Sequence, residues 1–236
     1  MPDYTITELD ISCKGLTKLP DDIDKYTNLE KLYCNYNFIS SLGNLSNGQQ
    51  AGYEDKPLGF PPNIKVLDCS YNYITSLDNL PPTLIELLCN ENQLTSLDNL
   101  PPNLEELNCS NNQITSLDNL PPTLKELHCN SNQITSLDNL PTELELLNCW
   151  NNKLTSLDNL PTTLKILACG YNQITSLDNL PTNLKELDCN TNQITSLDNL
   201  PPKLELLYCI FNPLKYDCQP ILQNIKKYNT SRILSS

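Results

Sequence analysis

The chain has 236 residues, with 28 Asp and Glu against 15 Lys and Arg and a formal net charge of -13. That balance works against nucleic acid and anionic membrane as partners, because both are held through a basic footprint. No stretch approaches the roughly 18 unbroken apolar residues of a membrane span. The start, Met1-Pro2-Asp3-Tyr4-Thr5-Ile6, lacks the cationic segment and apolar run of a secretory leader, so a cytoplasmic setting is expected.

Read from the N-terminus, the chain divides into one domain of internal repeats, residues 1–236. Residues 1–28 form a cap and a first repeat around Leu9-Asp10-Ile11 that runs 23 residues to Leu32, with Lys14 where later copies carry Asn. Asp21 to Tyr26 has the make-up of a helical turn on the outer side. Residues 29–45 are a second repeat, with Leu32, Cys34, Asn37 and Leu42. The polar, Gly-containing stretch 46–60 then reads as a projecting loop. From Pro61 to Leu214 the period is 20 without slippage, and Ser-Leu-Asp-Asn-Leu ends seven consecutive units, at Leu80 and every twentieth residue to Leu200. Residues 215–236 are expected to cap the last coil. Within them Gln219 to Tyr228 has the pattern of a short helix, with Ile221, Leu222, Ile225 and Tyr228 on one face.

Each unit reads L-x-x-L-x-C-x-x-N-x-I/L-x-x-L-x-x-L, as in Leu84, Leu87, Cys89, Asn92, Leu94, Leu97 and Leu100. This resembles the leucine-rich-repeat signature with Cys in the third apolar slot, over nearly the whole chain. The 20-residue length and the Pro-Pro pairs are similar to the repeats of bacterial effectors and of giant DNA virus proteins. The resemblance implies a solenoid with one curved parallel sheet of about ten short strands. Side chains alternate along a strand, so Leu87 and Cys89 face inward while Glu86, Leu88 and Asn90 face out. Stacked copies then bury a continuous column that a lone unit cannot. With strands roughly 4.8 Å apart, the concave sheet is on the order of 45 Å long. Asn-Leu-Pro-Pro predicts an extended or polyproline-like convex side, because proline disfavours helix in itself and in the residue before it.

Three ladders invite a chemical reading. Cys34, Cys69, Cys89, Cys109, Cys129, Cys149, Cys169, Cys189 and Cys209 occupy inward slots with no C-x-x-C pair for zinc, so they read as buried free thiols; disulfides between coils are within reach but would strain the stack. Cys13 and Cys218 lie outside the ladder and are the expected accessible thiols. The asparagines from Asn37 to Asn212 read as a buried amide stack that satisfies turn backbones. Asp78 and its six counterparts to Asp198 are open to two accounts: each accepts local backbone N–H bonds in an Asx-type turn, or together they form a stripe that attracts cations.

Catalysis has little support. His128 is the one histidine, no nucleophile elbow or Gly-rich phosphate loop occurs, and no D-x-D-x-D calcium pattern appears. No cofactor or metal is expected. Bacterial effectors of similar repeat can carry a ligase domain; with 22 residues after Leu214, none is expected here. The variable positions between copies instead point to a protein-binding scaffold, expected to be monomeric and to take a protein partner, a basic one if charge decides. Leu146, Trp150, Ile166, Ala168 and Tyr171, from adjacent coils, are expected to form an apolar and aromatic patch. Glu126 and His128, with Glu86 and Glu106, make its polar flank. Tyr33, Tyr36 and Tyr71 form a second cluster near the inserted loop. Leu206, Tyr208, Ile210 and Phe211 are expected to pack under the C-terminal cap. The alternative is a structural, self-associating or particle-associated repeat protein, since poorly capped sheet ends are docking sites.

Overall fold

The computed structural model describes residues 2–43 and 59–215. Ten three-residue strands follow one another in a single parallel sheet, each paired with its neighbours in sequence. They are β1 (Glu8–Asp10), β2 (Lys31–Tyr33), β3 (Val66–Asp68), β4 (Glu86–Leu88), β5 (Glu106–Asn108), β6 (Glu126–His128), β7 (Leu146–Asn148), β8 (Ile166–Ala168), β9 (Glu186–Asp188) and β10 (Leu206–Tyr208). From β3 onward every pairing joins residues twenty apart, as Leu87 with Leu107 and Leu107 with Leu127. The longer first and second units are absorbed outside the sheet, where Leu9 pairs with Leu32 and Leu32 with Leu67.

The strands are short because each carries one inward side chain. From β2 to β9 that leucine is buried to within 1% of full exclusion, while Leu9 on β1 and Leu207 on β10 are only partly covered. Next inward comes the cysteine column, Cys34 to Cys209, buried and free throughout. Exclusion from water disfavours thiolate, and burial pushes the Cys34 and Cys109 thiols up to about 12. Cys13 is exposed as expected; Cys218 lies outside the described residues.

The return arm contains no helix in the 20-residue coils, and it is built around two turns. In the first, the Leu84 N–H donates to the Pro81 carbonyl at 3.2 Å, and the same bond recurs at Pro101, Pro121, Pro141, Pro161, Pro181 and Pro201. Proline at the second position of that turn, as in Pro82 and Pro102, presets the required φ. In the second, Asn79 and its counterparts as far as Asn179 adopt φ of 62 to 64°, a left-handed conformation that Asn tolerates better than most residues. A single 3₁₀ turn, Ile23–Lys25, forms where the N-terminal helical turn is expected and buries Ile23. The expected loop 46–60, apart from Gly59 and Phe60, lies outside the described residues, as do the expected capping helix at 219–228 and nearly all of the 215–236 cap.

The coils are locked by the asparagine column. Asn132 Oδ1 accepts the Ile114 N–H of the preceding coil at 2.9 Å. Its Nδ2 donates to the carbonyls of Cys109 in that coil and of Cys129 and Asn130 in its own, at 3.1 to 3.3 Å. The pattern repeats from Asn72 to Asn212. It also accounts for Lys14 in the first unit. Asn37 accepts the N–H groups of Lys14 and Leu16, so the turn that carries Lys14 is bonded by the amide of the second unit.

The Asp columns correct one expectation. The carboxylates of Asp118, Asp138 and Asp178 are bonded to side chains rather than to local backbone N–H groups. It is Ser that caps the turn: the Asp118, Asp138 and Asp178 N–H groups donate to Ser116, Ser136 and Ser176 Oγ. The carboxylates instead accept those serine hydroxyls and the Nδ2 of Asn139, Asn159 and Asn199 one coil further on. Serine first and asparagine second hold these three carboxyls below the usual range. Asx turns occur elsewhere, at the strand ends, where Asp10, Asp68 and Asp188 accept the N–H two residues on.

Replacing Asn132 with Ala strands a buried N–H and several carbonyls at about 1–3 kcal/mol for each group left unpaired. Urea unfolding of Asn132→Ala is therefore expected to show a loss of about 2–4 kcal/mol, and Asn132→Asp, which lacks the donors, a similar one.

Candidate functional site: the concave face

Inward residues repeat and outward ones vary, so the concave surface is where this chain differs from coil to coil. Its charge is one-sided. Glu8 and Asp10 on β1, Asp68 on β3, Glu86, Glu106 and Glu126 on β4 to β6, and Glu186 and Asp188 on β9 all occupy outward strand positions; Lys31 on β2 is the lysine among them. Glu86, Glu106 and Glu126 pair in direct register, three carboxylates on consecutive strands. Like charges opposite one another repel. Partial burial, and then Glu86 and Glu126 on either side, raise the Glu106 carboxyl above its ordinary value.

β7 and β8 interrupt this acidic run with no charge at all. Leu146 pairs with Ile166 and Asn148 with Ala168. Just beyond the strands, the Trp150 and Tyr171 rings meet at 4.6 Å between centroids, tilted by 55°. Leu146, Ile166 and Trp150 are half-buried and Tyr171 is exposed. The five residues expected to form a patch thus fall together on adjacent coils. Glu126 and His128 lie on the neighbouring strand β6, paired with Leu146 and Asn148.

Trp150 has its position because of a residue absent from the expected set. A Cβ on Gly170 would stand 2.8 Å from Trp150 Cδ1, 3.0 Å from Nε1 and 3.1 Å from the Asn190 carbonyl. The Cδ1–Nε1 edge of the indole therefore occupies the space that a side chain at position 170 would need. Other coils have Asn, Ser or Ile in the Gly170 column, so the pairing of one Trp with the one Gly of the next coil was visible in the sequence.

In the second expected cluster, Tyr36 and Tyr71 stack face to face at 4.1 Å and 10°. Tyr33, on β2, is half-buried and pairs with Asp68, and it has no ring contact with the other two among the described residues. Phe38 and Tyr73 form a further stacked pair at 6.1 Å on the same two coils, which widens this aromatic surface beyond the three tyrosines. All four of these rings are 40 to 55% exposed. Tyr36, Tyr71 and Tyr171 belong to a column with φ of 52 to 57° in every full coil, a left-handed turn that costs bulky side chains of order 1 kcal/mol and recurs because the solenoid needs it. Leu206, Tyr208, Ile210 and Phe211 are 45 to 76% exposed at the far end, and the segment expected to cover them lies outside the described residues.

Among the described residues no group of His, Cys, Asp and Glu is arranged to hold a metal ion, and no helix is long and apolar enough to cross a membrane.

A single parallel sheet of 20-residue coils, a leucine and cysteine core and an amide ladder define a leucine-rich-repeat solenoid. Residues 82–122 and 162–202 match the family described as Leucine Rich repeats (2 copies), and the chain is a leucine-rich-repeat protein of the short class. Among solved structures it is similar to YopM from Yersinia enterocolitica, with 31% identity and a TM-score of 0.60 over 81% of this chain and 53% of that one. It is similar to the functional domain of InlJ from Listeria monocytogenes, described as including a cysteine ladder (28%, TM-score 0.55, 87% of this chain and 53% of that one). A Shigella effector leucine-rich-repeat domain matches at 25% identity and TM-score 0.55, over 98% of this chain and 77% of that one. The chain spans about half the length of the YopM and InlJ chains. No curated protein sequence compared with the chain matches it.

Two outcomes are expected of the site. Gly170→Ala forces the indole off its seat, so the emission of Trp150, the chain's one Trp, shifts to the red and is more readily quenched by acrylamide, with a stability loss of about 1–3 kcal/mol. An unchanged spectrum would place the ring elsewhere. For His128, burial lowers the imidazole pKa and outweighs the opposing pull of Glu126. The folded protein then binds fewer protons than the unfolded chain just below pH 6.5, so stability is fully present above that pH and is lost as pH falls through the folded value. An NMR titration of His128 should give a midpoint below 6.5, and His128→Asn should flatten stability across that window.

Proposed function

We propose that the chain is a non-catalytic scaffold that binds a basic protein partner on its concave face, acting as a host-directed effector in the host cytoplasm. The observation that carries this reading is the uncharged island on β7 and β8, seated in an otherwise acidic surface. Aromatic anchors with a polar surround have the composition of interface hot spots, and one-sided charge selects an oppositely charged partner and speeds its approach. Leu146, Trp150, Ile166 and Tyr171 provide the seat. Glu126 and His128 flank it, and the Tyr33, Tyr36 and Tyr71 region offers a second contact toward the N-terminal end. Likeness to YopM and to the Shigella effector domain supports the effector class.

The test is capture from a host-type lysate by wild type, Trp150→Asp and a Glu86→Gln/Glu106→Gln/Glu126→Gln triple variant. A shared prey retained by wild type is expected to bind at least about tenfold more weakly to each variant, roughly 1.4 kcal/mol or more. Binding should weaken with added salt. It should also weaken as pH falls toward the raised Glu106 value, because protonation removes the charge the partner meets. Equal recovery by a folded Trp150→Asp would move the site off this face. A second reading, self-association, is favoured by the exposed Leu206, Tyr208, Ile210 and Phe211. A monomeric mass by light scattering, independent of concentration, would remove it.

A further inference from the structure

Along the edge where each coil enters its concave strand, charged side chains alternate in sign. Lys125 reaches back to Glu105 at 2.7 Å and Lys165 to Glu145 at 2.6 Å, each lysine neutralised by the coil before it. Lys65 does the same with Glu30 at 3.1 Å. The alternation fails at Lys185. Its neighbour in the preceding coil is Lys165, which is already engaged, and among the described residues no carboxylate lies within the 4.0 Å of an ion pair. One coil further, Lys203 leans over the same place, with Nζ donating to Asn183 Oδ1 at 2.7 Å; Asn183 is itself anchored by its Nδ2 on the Thr162 carbonyl at 3.1 Å. Lys165, Lys185 and Lys203 thus share a groove with Glu145, Thr163 and Asn183, an opening of about 340 Å³.

Three ammonium groups face one carboxylate here, in a chain whose net charge is -13. Like charges on neighbouring coils repel. Glu205 stands beside Lys185 on the next coil, its N–H on the Lys185 carbonyl at 2.8 Å, and among the described residues it makes an ion pair with neither Lys185 nor Lys203. Thr163 supplies no donor of its own to the groove, since its hydroxyl hydrogen is directed to the Thr142 and Leu144 carbonyls at 2.7 and 2.8 Å. We propose that this flank groove is an anion site for a phosphate-type ligand, a multiply charged oxyanion held by Lys165, Lys185 and Lys203. Lysine ammoniums are compact, rotatable point-charge donors, which suits a polyvalent phosphate more than the planar two-point contact of a single carboxylate. The site lies on the edge of the solenoid and is independent of partner binding on the concave face.

The test uses the full chain with inorganic pyrophosphate at constant ionic strength, followed by the side-chain NMR signals of the lysines. Lys165, Lys185 and Lys203 are expected to shift together along one saturable curve while Lys65 and Lys125 stay in place. Lys185→Gln should weaken binding at least tenfold, and Lys125→Gln should leave it unchanged; all these side chains are on the surface, and matched unfolding curves confirm the fold. A phosphoserine peptide titrated alongside its serine counterpart distinguishes a phosphorylated side chain from a free phosphate as the ligand. Parallel shifts at every lysine, no saturation, or a Lys185→Gln titration identical to wild type would overturn the site.

Discussion

The structure rests on one amide per coil. A 20-residue coil with a three-residue strand leaves most of its backbone outside any ladder, and buried N–H and C=O groups must find partners. Asn at a fixed place meets that demand in both directions, with its oxygen toward the coil before and its nitrogen toward carbonyls of both coils. Since the same side chain closes the turn and spans the gap between coils, a coil cannot rotate or slip relative to its neighbour without breaking several bonds together. Register, parallel direction and the small rise per coil follow from that one residue.

Once the interior is fixed in this way, chemistry is left to the surface columns. The inner column of thiols is excluded from water and held as neutral SH, so it packs rather than reacts. On the convex side, Ser, Asp and the Asn of the following coil tie successive turns together, and through that Asn five of the seven like-charged aspartates are bonded to the next coil. The concave strands, with one outward residue on either side of each leucine, are free to vary. There the chain has gathered carboxylates on β4 to β6 and an uncharged aromatic seat on β7 and β8.

Much of this was legible in the sequence. The repeat pattern marked out the inward Leu, Cys and Asn columns, and the leucine-rich-repeat resemblance it carries implied a sheet of about ten strands. The neighbours on the concave face could also be read, since residues twenty apart must be adjacent. What escaped was contact set by torsion and reach. The Asp column leaves a local turn and a cation-attracting stripe both open in the sequence; the carboxylates of Asp118, Asp138 and Asp178 extend to the next coil, and a short-range motif gives no sign of that. That Gly170 follows Trp150 in one column is legible in the sequence, but that the indole occupies the place of the missing side chain is set by the Trp150 torsions and shows only in the structure. The charges that alternate from Glu105 to Lys165, and the break at Lys185, sit just before the strands, outside the columns that read as concave.

The uniform period has a genetic consequence. Any 20-residue unit from Pro81 to Leu200 presents nearly the same upper and lower contacts, so an in-frame loss or duplication of one coil rejoins surfaces that already fit. The scaffold is indifferent to such an event, while the outer surface is not. Removing Pro101 to Leu120 would bring the stacked tyrosines of coils two and three about 4.8 Å nearer to Trp150 and delete the middle carboxylate of the acidic run. Spacing between contact points is thereby adjustable in whole-coil steps, a ruler that recombination can lengthen or shorten without having to solve the folding problem again.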